Sequence, residues 1–80
     1  MILEAINHRL YFWVPRSEVV FIQAVTDAYE GLARIRTERH ENERSLIMCL
    51  VQETRRAEFI DVLQHLEKEV SGAIIPVNSV

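Results

Sequence analysis

From Ile6 to Val14 the apolar residues Ile6, Leu10, Phe12 and Val14 share one parity with His8, while Asn7, Arg9, Tyr11 and Trp13 hold the other. A period of two in a stretch rich in aromatic and branched side chains predicts a strand that ends at Pro15. Leu10, Phe12 and Val14 are then expected to face a core, and Tyr11 and Trp13 to point away from it. Beyond Pro15 the period changes. Val19, Ile22, Val25, Tyr29 and Leu32 recur at spacings of three and four, the signature of one face of a helix. Ser17 is placed to cap that helix, Glu18 to meet its positive end, and Gly31 to stop it.

Ala33, Ile35 and Thr37 alternate with Arg34, Arg36 and Glu38, which predicts a second, half-buried strand. The polar run Arg39–Arg44 reads as a turn, and the unbroken apolar segment Leu46–Val51 as a third strand, central because both its faces are apolar. Thr54 is positioned to cap a second helix, in which Phe59, Leu63, Leu66 and Val70 repeat and which Gly72 closes. Ala73–Val77 completes a fourth strand. Pro76 cannot donate to a sheet ladder, so that strand belongs at an edge.

The order strand, helix, strand, strand, helix, strand, combined with right-handed crossovers, predicts one α+β domain over residues 1–80. Its expected form is a ferredoxin-like βαββαβ unit, a four-stranded antiparallel sheet with both helices on one face. A hairpin turn of two or four residues would set Arg34 opposite Cys49 and Arg36 opposite Ile47 on the uncovered face. That face is accordingly expected to show Tyr11, Trp13, Ile47, Cys49 and Val51, bordered by Arg34 and Arg36. An apolar patch of that size calls for a cover, and a protein partner or a second copy of the chain is the expected one, with two-fold homodimers the commonest case.

Composition narrows the function. The chain is 49% hydrophobic and 26% charged, which is globular, and its formal charge is −3, with one lysine and eight arginines spread along its length. That balance disfavours duplex nucleic acid and anionic membranes. Met1–Leu3 is interrupted by Glu4 and Asn7, unlike a secretion signal, and Val19–Val25 is too short to span a bilayer. A lone cysteine fits a reducing, cytoplasmic setting.

The candidate chemistry is sparse, and a non-enzymatic role is expected. Cys49 is the one evident nucleophile, but it has no histidine beside it and a cysteine in a central strand usually packs. His8, His40 and His65 have no metal-ligand spacing, so neither a metal site nor a cofactor is expected. Outward Tyr11 and Trp13 resemble the stacking residues of RNA-recognition sheets, but the third strand lacks the Gly-aromatic pattern of such platforms. Arg16 with Ser17, and Thr54 with Arg55, stand at helix starts where an anion such as a small-molecule carboxylate would sit.

Val14-Pro15, Glu18, the run Ala28-Tyr29-Glu30-Gly31-Leu32-Ala33, and Arg36-Thr37 give the chain a resemblance, from its first strand through its second helix, to a family of short bacterial domains of unknown function. The family is similar in layout to ACT-type regulatory domains. The resemblance implies a bacterial cytoplasmic protein of ferredoxin-like fold and brings no catalytic residues. ACT domains take an amino acid where the first strand meets the first helix, usually around a glycine; here that turn reads Val14-Pro15-Arg16-Ser17-Glu18. An ACT-like small-ligand regulatory domain is the alternative to the interaction module.

Overall fold

The computed structural model describes residues 7–70 and 72–77; Ile6, placed above at the start of the first strand, lies outside them. Strand β1 runs Asn7–Pro15, helix α1 Val19–Ala28, β2 Arg34–Glu41, β3 Arg44–Gln52, helix α2 Arg56–Glu69 and β4 Ile75–Val77. The sheet is antiparallel in the order β2-β3-β1-β4, so the apolar β3 is central and the proline-bearing β4 lies at an edge, as expected. This is the ferredoxin-like layout.

One face of the sheet is the core. Phe12, Val14, Ile47, Cys49 and Val51 form a single cluster with Ile22 of α1 and with Phe59, Val62, Leu63 and Leu66 of α2. Phe12 and Phe59 meet with ring centroids 6.3 Å apart and planes tilted by 60°, a favoured aromatic geometry. Both helices therefore cover the same side.

The helix entries depart from the capping expected of Ser17 and Thr54. Each lies inside a single 3₁₀ turn, Arg16–Glu18 and Glu53–Arg55, and neither helix start has a side-chain cap. The 3₁₀ turns take over that role locally, because Val19 N–H donates to the Arg16 carbonyl and Arg56 N–H to that of Glu53. Helix α1 also ends earlier than its apolar stripe suggests. Its last residue is Ala28, Tyr29 swings out to 44% exposure, and Gly31 at φ 71° sits in the left-handed exit that returns Leu32 to the core. Thr26, which the apolar pattern skipped, is fully buried and turns its hydroxyl onto the Ile22 and Gln23 carbonyls, 3.0 Å from each.

The β2–β3 hairpin departs furthest from the sequence pattern. Arg39–Arg44 is not a six-residue turn; β2 continues to Glu41 and only Asn42 and Glu43 lie between the strands, Asn42 with φ 55°. Between Thr37 and Arg39 the register slips by one residue, a β-bulge at Glu38. Below the bulge Ile35 stands opposite Cys49 and Thr37 opposite Ile47. The extra residue reverses the parity of β3 against β2, so Ile47, Cys49 and Val51, expected on the open face, lie beneath the helices with no exposure at all.

Candidate interaction face

The pairings define what the sheet shows on the side away from the helices. In one row Val77, Tyr11, Met48 and Arg36 follow one another across the four strands; in the next stand Ile75, Trp13, Leu46 and Arg39. Arg9, Leu50 and Arg34 form a third row at one end, and Arg44 closes the other. Of the residues expected here, the structure brings together Tyr11, Trp13, Arg34 and Arg36. Leu46, Met48 and Leu50 replace the three β3 residues that the bulge turned inward.

This face carries some cover of its own. Arg39 and Arg44 place their guanidinium carbons 5.4 and 4.8 Å from the Trp13 ring centroid. Each contact is a cation–π pair worth about 0.5–1 kcal/mol at an exposed site. Arg39 stands on the far side of Leu46 from Trp13, so the two side chains meet above Leu46, which is 3% exposed. Along the β2 margin Arg36 donates to Glu38 at 2.8 and 3.2 Å, and Arg39 pairs with Glu41 at 3.1 Å. The hydrogen bond and charge of Glu38 raise the Arg36 pKa further. At the opposite margin Ile75 is 42% exposed. The face thus runs from an arginine margin on β2, through an aromatic and aliphatic centre, to an apolar margin on β4.

Charge is divided between the layers. Strand segments 7–15 and 34–52 hold five arginines against three glutamates, whereas segments 16–30 and 53–69 of the helix layer hold eight acids against four bases. The scatter of arginines along the sequence conceals this polarity, because alternate strand positions share a face.

The remaining candidates are separated. Arg16 and Ser17 follow the end of β1, while Thr54 and Arg55 follow the end of β3; the strands are antiparallel, so the two pairs stand at opposite ends of the sheet. Arg55 is already engaged, its Nε and Nη2 on the Glu58 carboxylate at 3.0 and 3.1 Å and its Nη1 on the Glu30 carbonyl at 2.5 Å. That hydrogen bonding lowers the Glu58 pKa and raises that of Arg55. The strand–helix turn at Pro15 is packed by Gly72, where a Cβ would come within 2.7 Å of the proline Cγ. Burial pushes the Cys49 thiol up to about 12, which makes it a poor nucleophile.

Two polar pairs escaped the sequence pattern, since each joins residues from different strands or segments. His8 is hydrogen-bonded to Glu53, and His40 Nδ1 lies 2.5 Å from the hydroxyl of the fully buried Ser45. Among the described residues no group of His, Cys, Asp and Glu is arranged to hold a metal ion, and no helix is long and apolar enough to cross a membrane.

Fold and face together define an α+β domain of ferredoxin-like layout with one side of its sheet left bare by the helices. Residues 12–70 match the family described as domain of unknown function DUF4911, and the chain belongs to that family. No curated protein and no solved structure matches it.

Proposed function

We propose that the domain is a non-enzymatic interaction module of the bacterial cytoplasm that homodimerises through the open face of its sheet. The observation that carries this reading is the apolar ladder Ile75–Trp13–Leu46 beside Val77–Tyr11–Met48, which crosses three strands on the side away from both helices; Leu46 and Met48 form its buried floor, and Ile75, Trp13, Tyr11 and Val77 its accessible surface. The free, buried Cys49 supports a reducing compartment.

The asymmetry of the face selects the geometry of the pair. A two-fold axis perpendicular to the strands would stack the β2 arginines of one copy on those of the other. An axis parallel to the strands lays the β2 margin of each copy over the β4 margin of its partner. The Arg36 stem then covers Val77 of the partner with its head in water, while Arg39 and Arg44 keep their places over Trp13.

Trp13 is the only tryptophan, so its fluorescence reads this face directly. Accessibility to acrylamide is expected to fall as protein concentration rises through the dimerisation range. Quenching that stays constant from dilute to concentrated solution would overturn the proposal.

A further inference from the structure

We propose that the groove between α1 and α2, on the surface opposite the sheet, docks a basic amphipathic helix of another protein. Phe21 and Tyr29, two of the four large apolar side chains that stand exposed among the described residues, line this groove from α1 and its exit, at 42 and 44%. The open sheet face does not account for them. Phe21 and Val25 are one helical turn apart, and with Tyr29 they face Val62 and Leu66 of α2 across a trough of about 540 Å³. An apolar floor of that length, set between two helices, matches the mode in which a helix inserts anchors at i, i+3, i+4 and i+7.

The rim decides the charge of the occupant. Asp61 and Glu69 stand on the α2 wall with His65, whose Nδ1 lies 4.0 Å from the Asp61 carboxylate; Lys68 is the one lysine or arginine there, and Glu58 is already held by Arg55. Helix α1 contributes no cation between Val19 and Ala28. The whole helix layer has eight acids against four bases, so a second copy presenting its own helices would meet like charge. An anionic membrane is repelled for the same reason. A helix with lysines or arginines flanking an apolar stripe answers both the floor and the rim.

The test is a nitrogen-15 NMR titration of the full chain with a synthetic leucine–lysine amphipathic peptide, repeated with its leucine–glutamate twin. Shifts confined to residues 21–29 and 58–69 are expected, with the lysine peptide at least about tenfold tighter. Asp61 is 71% exposed, so Asp61→Lys combined with Glu69→Lys should leave the spectrum dispersed while weakening that peptide by at least about tenfold. Equal affinity for the two peptides, no shift, or shifts centred on Tyr11 and Trp13 would overturn the proposal. So would groove resonances that move with protein concentration alone, which would mark a second copy as the occupant.

Discussion

Phe59→Ala is expected to cost about 3–5 kcal/mol of folding stability, the range for truncating a fully buried aromatic side chain. Phe59 has no exposed surface, lies against Phe12 and belongs to the cluster that joins α2 to the sheet. Alanine leaves a cavity that neighbours on a rigid sheet fill only in part. A whole domain is worth roughly 5–15 kcal/mol, and one of 80 residues stands toward the low end, so a large fraction of the variant should be unfolded in mild urea. Phe21→Ala makes the same chemical change in the same layer at an exposed site and should cost under about 1 kcal/mol. Urea titrations followed by circular dichroism compare the two. Similar midpoints would mean that Phe59 is not the centre of the core.

Alkaline pH should weaken the fold through Cys49. The ordinary thiol value is 9.0 and burial raises it to about 12 in the native state, so the folded chain holds this proton more tightly than the unfolded chain. The resulting stabilisation is complete below pH 9. Above that, the unfolded thiol ionises while the native one does not, and stability falls until the pH passes about 12. The slope approaches about 1.4 kcal/mol per pH unit, a severe loss for a small domain. Other groups also titrate in this range, so the comparison is with Cys49→Ala, which carries its own cavity cost at every pH but has no thiol to ionise. Urea midpoints of the two proteins should converge between pH 9 and pH 10.5. Parallel curves would show that the thiol ionises in the folded state. Native Cys49 should also react with thiol reagents far more slowly than the unfolded chain.

Element order and sheet topology were legible in the sequence because they rest on periodicity, and apolar periods of two and of three to four survive small errors at the ends. Phe12 and Val14 inward, β3 central and Pro76 at an edge all follow from that kind of signal. Which side of β3 faces the core was not legible. Leu46–Val51 is apolar at every position, so it carries no parity of its own, and its facing depends on the hairpin. One bulge residue, Glu38, then turned Ile47, Cys49 and Val51 inward and Leu46, Met48 and Leu50 outward. The Arg39–Trp13–Arg44 stack was hidden likewise, since Arg39 belonged to a segment that read as turn. Helix α1 illustrates a different limit. A stripe that includes Tyr29 and Leu32 continues through a chain reversal, because Leu32 reaches the core from the exit loop rather than from the helix.

Sedimentation equilibrium on the wild-type chain and on Ile75→Asp reads whether two copies meet at the open sheet face. Ile75 is on that face, well exposed and outside the core cluster, so the substitution should leave folding intact while setting a carboxylate in the interface. Wild type should reach twice its 9.4 kDa monomer mass as concentration rises, and the variant should remain at 9.4 kDa. A wild-type chain that stays monomeric up to about 1 mM, or a variant that dimerises as readily, would rule out the open face as the dimer contact.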